Sequence, residues 1–366
     1  MLDVFYSDVR FPGIAVFDPF MGSGTTLGET LKLGADAIGR DINPVSYLQV
    51  RTSLTLKGSE ELEETFHAIE KDVAVDISKY YRARLQDGTY CRVLYYFWVM
   101  TVPCPNCDIQ VDLFSKYIFA RHAYTRRNPT VHVICPACGS ISPQHYRVRQ
   151  MECPECNHCF DATKGPVAGK TARCSNCLCE FAIGRTVLET GSPPSYRMYA
   201  KLVLTNDGKK EYQPITCFDE GLYQEAVAEL RESSYHIPGE TIDPGYNTNQ
   251  ILNYGFTAWN QLFNARQLLC ISKLMNRIRE IGDVQLRDAF TCLFSGILEF
   301  NNMFASYKGE GTGAVRPMFY HHILKPERTP LEANIWGTPK SSGAFSTLFR
   351  SRLKRAVEYA REPFEL

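Results

Sequence analysis

The sequence predicts an α/β protein in three parts: a strand–helix–strand unit with a helical extension over residues 1–100, an inserted cysteine-rich module over 101–190, and a mixed α+β, largely helical region over 191–366. Three observations predict it. Residues 13–18 (GIAVFD) run into an acid, a glycine turn and a leucine-spaced segment, and a second short apolar run follows at 35–41 (ADAIGRD). Cysteine pairs two residues apart recur four times between 104 and 177. Apolar residues return at helical spacing over 258–281 and 284–304.

In chain order, 25–34 (TTLGETLKLG) reads as a helix carrying Leu27, Leu31 and Leu33 and closed by Gly34. Residues 59–86 read as one helix or two, and 90–100 (YCRVLYYFWVM) as a strand leading into the cysteines. Beyond 190, 197–205 is strand-like, 218–232 helical, and 236–250 (HIPGETIDPGYNTNQ) a loop of turn formers. Residues 307–345, rich in Gly, Pro and His, lack periodicity. Trp259, Phe263, Phe294 and Phe300 fall at helical spacing and read as core.

Hydrophobic residues make up 44% and charged residues 22%, with 40 basic and 40 acidic side chains, a globular composition without a uniform field. A nucleic-acid partner would need a local basic patch, such as 121–127 (RHAYTRR) or 349–356 (FRSRLKRA). No run of 18 apolar residues occurs and residues 1–20 lack signal-peptide order, which predicts a cytoplasmic protein with no membrane contact.

In a reducing compartment, clustered C-x-x-C pairs read as metal ligands rather than disulfides. The pairs are Cys104/Cys107, Cys135/Cys138, Cys153/Cys156 and Cys174/Cys177. Two intervening residues let one tight turn present both sulfurs to a tetrahedral zinc, and two such turns close a shell at Zn–S distances of about 2.3 Å. Eight ligands therefore predict two structural Zn2+ ions with no position open to water. Pairing is either sequential or nested, and the fourteen residues between Cys138 and Cys153 favour an inner hairpin, hence nesting. Cys159 and Cys179 are possible substitutes, whereas Cys91, Cys217, Cys270 and Cys292 stand on apolar stretches and read as core. His321 and His322 with Glu327 form a weaker grouping, because adjacent histidines point apart.

The stretch FDPFMGSGTTLGETLKLGADAIGRDIN sets an acid at one strand end, a G-x-G turn at a helix amino terminus, and an acid at the next strand end. A dinucleotide fingerprint would need a third glycine, and a phosphate loop a lysine after the glycines. S-adenosylmethionine (SAM) meets the chemistry instead: its ammonium pairs with Asp18 and its ribose hydroxyls hydrogen-bond Asp41.

Asp18 to Thr26 resembles the cofactor motif of DNA N6-adenine and N4-cytosine methyltransferases, and similar motifs occur in guanine-modifying RNA methyltransferases. The cysteine region followed by 251–274 (ILNYGFTAWNQLFNARQLLCISKL), together with 298–349, is similar to adenine-specific DNA methylases that contain a zinc ribbon. The resemblance covers almost the whole chain. It implies a partial Rossmann-like SAM-methyltransferase unit with an inserted double zinc-ribbon module. It places Asp18, Pro19, Phe20, Gly22, Ser23, Gly24, Thr25, Thr26, Asp41 and Asn43 around SAM.

That family continues to a catalytic D-P-P-Y motif, and here the nearest match is Ser192-Pro193-Pro194-Ser195, without the aromatic ring that stacks on a flipped base. Ser192–Ser195 reads as a proline turn, and no catalytic residue is assigned. The expectation is the cofactor-binding and target-recognition part of a SAM-dependent DNA adenine-N6 methyltransferase, inactive as an isolated chain. DNA and a second polypeptide supplying D-P-P-Y are its expected partners. The alternatives are a non-catalytic zinc-ribbon DNA-binding or specificity subunit with a vestigial SAM pocket, or an RNA methyltransferase.

Overall fold

The computed structural model describes residues 9–56, 58–85, 87–311, 314–321 and 323–362. His322 and the side chain of His321 lie outside the described residues. The chain is mixed α/β and divides into two compact units, one of Met1–Val75, Leu274–Gly296 and Leu348–Leu366, the other of Asp76–Lys273 and Ile297–Thr347. No helix of the described residues is long and apolar enough to cross a membrane.

The first unit opens with strand β1 (Ala15–Asp18), helix α1 (Thr25–Lys32) and strand β2 (Asp36–Gly39). β1 and β2 pair in parallel, Phe17 opposite Ile38 and Asp18 opposite Gly39. This is the only parallel ladder among the described strands, so a Rossmann-like sheet goes beyond what these residues contain. Helix α1 lays Leu27 against Met21 and Val50, forming a small core. Gly39 packs closely on it: a Cβ there would lie 2.3 Å from Leu27 Cδ1 and 2.6 Å from Met21 Sδ, so both side chains would have to move. Helix α2 (Pro44–Leu54) starts with proline at its first turn and with the Asn43 side chain accepting from Val45 N at 2.9 Å. Phe66 of the helix Ser59–Ser78 stacks on Phe349 at 4.1 Å, and Phe290 lies on the same ring at 5.9 Å. The basic 349–356 tail is thus one face of a helical cluster, with Phe349 and Leu353 buried and Lys354 paired to Glu63.

The second unit is built on the strand Tyr90–Pro103, buried without break from Val93 to Val102. Such a run needs cover on both faces. It pairs antiparallel with Ser195–Leu204 and Leu331–Ala333, and Ser195–Leu204 pairs in turn with Lys210–Pro214. Thr101 lies opposite Ser195, so residues 104–194 are an excursion between two hydrogen-bonded neighbours. Ser192–Ser195 is the turn that re-enters the sheet; Gly255 packs so closely on it that a Cβ would lie 2.8 Å from the Ser192 carbonyl carbon.

A buried carboxylate ties this unit together. Glu332, fully buried, accepts at Oε1 from Arg266 Nε (2.7 Å) and Tyr81 OH (3.0 Å), and at Oε2 from Trp98 Nε1 (2.8 Å), Arg266 Nη2 (2.8 Å) and Asn264 Nδ2 (2.9 Å). The Arg266 guanidinium also lies 4.0 Å from the centre of the Tyr96 ring. A second buried pair joins Lys201 Nζ to Asp219 Oδ2 at 2.6 Å, and Asp219 also closes the capping box of the helix Cys217–Glu232 with Thr216.

The strands expected over 13–18, 35–41, 90–100 and 197–205 form at 15–18, 36–39, 90–103 and 195–204, and the helices expected over 25–34, 218–232, 258–281 and 284–304 form at 25–32, 217–232, 265–279 and 284–298. Two readings are corrected. Cys217 is exposed at the amino end of its helix rather than core. Trp259 is exposed in a short 3-10 turn, because the long helix begins only at Ala265, after Asn264 and Gln267 exchange backbone-to-side-chain hydrogen bonds.

Candidate metal centres and the glycine turn

Each cysteine pair sits in the same local fold. The carbonyl of the first cysteine accepts from the amide four residues on: Asp108 (2.9 Å), Gly139 (3.0 Å), Asn157 (2.9 Å) and Leu178 (3.0 Å). Those four residues take left-handed φ values of 57°, 72°, 58° and 62°. The first cysteine's amide donates in turn to Ile109, Ser140, His158 and Cys179, closing the turn at 2.9–3.0 Å. Asp, Gly and Asn tolerate the left-handed conformation, and Leu178 occupies it against preference.

The turns gather into two tetrads, Cys104/Cys107/Cys174/Cys177 and Cys135/Cys138/Cys153/Cys156, the sulfurs of each lying within 4.8 Å of one another. The pairing is therefore nested. The outer tetrad closes the base of the 104–194 excursion and the inner one holds a hairpin within it. Cys159 and Cys179 join neither group.

The spacing fits a metal. A tetrahedron with bonds of about 2.3 Å has sulfur–sulfur edges of about 3.8 Å. Here Cys104–Cys177 is 3.5 Å, and Cys107–Cys174, Cys135–Cys156 and Cys138–Cys153 are each 3.7 Å. Donors surround the sulfurs: the Ser140 hydroxyl lies 3.2 Å from Cys153, and Asn176 Nδ2 lies 3.7 Å from Cys107. The Ser140 hydroxyl holds the Cys153 thiol down to about 6, and the Asn106 side chain together with the Cys179 amide does the same for Cys177. Burial pushes Cys104 up to about 12. Thiolates this close repel one another, and a divalent cation that accepts four of them is the complementary charge. Two four-cysteine clusters suited to structural zinc or another metal ion are thus in place.

In the first unit the predicted cofactor residues fold into one turn. Gly22 (φ 51°) and Gly24 (φ 80°) take left-handed backbone that favours glycine, and a Cβ on Gly24 would lie 2.7 Å from Val50. Asp41 spans the turn: Oδ2 accepts from Gly22 N at 2.8 Å and Oδ1 from Asn43 N at 2.8 Å. The Asn43 amide first, then that of Gly22, hold this carboxyl below the usual carboxylate range. Asp18 Oδ1 accepts from Phe20 N at 3.0 Å, leaving Oδ2 without a donor among the described residues. No side chain caps α1, whose first residues are Thr25 and Thr26, and Ser23 Oγ lies 3.2 Å from Thr25 Oγ1. Pro19 and Phe20 are exposed at the strand end.

Sequence reasoning missed two features of these sites. The left-handed residue after each pair was readable as Asp108, Gly139 and Asn157, typical positive-φ residues, but Leu178 carries no such signal. The Ser140 and Asn106 contacts to sulfur depend on folding and left no trace in spacing. No family model, no curated protein and no solved structure matches the chain.

Proposed function

We propose that this chain is the cofactor-binding and target-recognition part of a SAM-dependent DNA amino-methyltransferase acting on adenine N6, completed by a second polypeptide that carries the D-P-P-Y motif. One observation carries the reading: the glycine turn lies at the carboxyl ends of two parallel strands, with Asp18 ending β1, Asp41 following β2 and the uncapped start of α1 between them. Ligands of open parallel sheets bind at such ends. Asp18 Oδ2 would receive the SAM ammonium, Asp41 the ribose hydroxyls on its remaining lone pairs, and the amides of Thr25 and Thr26 the carboxylate.

The need for a second polypeptide has physical support. Phe17 and Ile38 are neighbours on one face of the β1/β2 ladder and are 58% and 54% exposed, although parallel strands are ordinarily covered on both faces. The exposed basic residues Arg121, Arg126 and Arg127, with exposed Tyr124, support DNA contact by the zinc module. Bound in each tetrad, zinc would fold this module, and with four thiolate ligands it leaves no site for chemistry.

A second reading is favoured by the Asp41 hydrogen bonds, since a carboxylate already serving two amides also suits a turn retained without ligand. The chain would then be a non-catalytic zinc-ribbon DNA-binding or specificity subunit. Calorimetry of the zinc-loaded chain with SAM separates the two: saturable binding weakened about tenfold by Asp41→Ala supports the first, and no binding, with or without the D-P-P-Y polypeptide, supports the second. Labelled methyl transfer to DNA and to RNA by the reconstituted pair then fixes the substrate.

A further inference from the structure

A cavity of about 240 Å³ opens in the second unit, lined by none of the eight tetrad cysteines. Its size falls just below the range of ordinary small-molecule pockets. Four cationic side chains line it: Lys116, Arg121, Lys308 and Arg316. The single carboxylate in its wall is Glu327, which accepts from Thr329 N at 3.3 Å and whose carboxyl burial pushes above its ordinary range. Lys116, Arg121 and Arg316 form no ion pair among the described residues. Arg316 Nε is buried with no hydrogen-bond partner among them. The Lys116 ammonium is held below its ordinary range, by desolvation first and by the Arg121 charge second.

The backbone holds these cations together. Gly309 (φ 102°) packs so tightly on the strand Ile118–Arg121 that a Cβ would lie 2.5 Å from the Arg121 carbonyl oxygen. Ala123 N donates to the Glu310 carbonyl at 2.8 Å, and the short strands Ser306–Tyr307 and Val315–Arg316 pair beside it. Four cations set against one carboxylate leave the wall with an excess of positive charge, which costs free energy, and the buried Arg316 Nε without a partner among the described residues adds to that cost. An anion that accepts from several of them at once removes both penalties, and a phosphoryl group, with three or more acceptor oxygens, matches Lys and Arg donors best.

We propose that this cavity binds the phosphate of a nucleotide, either a free mononucleotide or one nucleotide of a DNA strand, between Lys116, Arg121, Lys308 and Arg316. The site stands independently of methyl transfer. The test uses the zinc-loaded full chain with four probes: inorganic phosphate, 2′-deoxyadenosine 5′-monophosphate, deoxyadenosine, and a short single-stranded DNA oligonucleotide. Calorimetry and fluorescence anisotropy are expected to show salt-dependent binding of phosphate-bearing probes and none of deoxyadenosine. Lys116→Gln combined with Arg121→Gln is expected to weaken it at least about tenfold, with zinc content unchanged and the melting temperature within about 2 °C. Lys116→Arg should retain binding, as should the control Arg185→Gln, whose partner is Glu189 on an exposed helix. Tighter binding of the mononucleotide assigns a phosphomonoester, and of the oligonucleotide a phosphodiester; both support the proposal. It is overturned if no phosphate-bearing probe binds, if deoxyadenosine binds as tightly as its monophosphate, or if the double variant binds unchanged.

Discussion

Replacing Glu332 by Gln changes one atom in the most densely hydrogen-bonded carboxylate of the second unit. Whichever oxygen becomes the amide nitrogen, donors are stranded: Oε1 serves Arg266 Nε and Tyr81 OH, and Oε2 serves Trp98 Nε1, Arg266 Nη2 and Asn264 Nδ2. At least two donors lose their acceptor, each costing about 1–3 kcal/mol when buried. Arg266, fully buried, also loses its ion-pair partner. Breaking such a pair from one side costs about 3–5 kcal/mol, and the two estimates describe the same loss from different directions. Against a typical domain stability of about 5–15 kcal/mol, a loss of about 3–5 kcal/mol means that Glu332→Gln should lower the urea midpoint by about a fifth or more. Trp98, Trp259 and Trp336 all lie in this unit, so tryptophan fluorescence reports its unfolding. In a double-mutant cycle, Arg266→Met should cost far less in the Glu332→Gln background than in the wild type, because the stranded charge is gone. A loss under about 1 kcal/mol, or additive single effects, would refute the assignment of Glu332 as the group holding Arg266 in the core.

Elemental analysis should find close to two zinc ions per chain, and chelation should unfold residues 104–190 while leaving the small core around Leu27 in place; less than one zinc per chain would sink the structural reading. Leu178→Gly should stabilise the outer knuckle by about 0.5–1 kcal/mol, since the penalty of left-handed Leu exceeds the entropic cost of Gly, and zinc retention against a competing chelator reads it. Glu229 is buried in part, yet hydrogen bonds from Lys273, Tyr80 and Lys79 hold its carboxyl down to about 2. Its folded value is depressed, so its stabilisation is present above the unfolded value of about 4.3 and is lost as pH falls from there towards about 2. The urea-midpoint difference between wild type and Glu229→Gln should therefore be large at pH 6 and shrink below pH 4, a comparison unaffected by the zinc loss that both proteins share in acid.

Elements with a strong local signal were legible in the sequence. The run 90–100 announced a strand, which the fold buries without break from Val93 to Val102, and the periodicities over 258–281 and 284–304 became helices at 265–279 and 284–298. The nested tetrads followed from the short Cys138-to-Cys153 spacing, because a hairpin needs few residues to return. Contacts across long separations were hidden. Nothing near Leu331–Ala333 marks it as a neighbour of Phe97, and nothing in the sequence marks Glu332 and Arg266 as partners, although both are fully buried and paired. Cys217 and Trp259 misled for a related reason: both are flanked by helix-forming residues, and the caps at Thr216 and Asn264 decide where each helix starts and which side chains it leaves in water.

The excursion 104–194 has a consequence for how the protein is made. Ninety-one residues separate the apolar strand ending at Pro103 from Ser195, the start of its partner, a delay on the order of 5–20 s at ordinary elongation rates. Through that interval its apolar side chains are open to chaperones and to other nascent chains. Once Cys174 and Cys177 have emerged, a metal bridging them to Cys104 and Cys107 would draw the newly made chain back to the waiting strand. Metal supply during synthesis would then govern how long an aggregation-prone segment stays uncovered, and metal-starved cells should accumulate this chain in the insoluble fraction rather than as a soluble apoprotein.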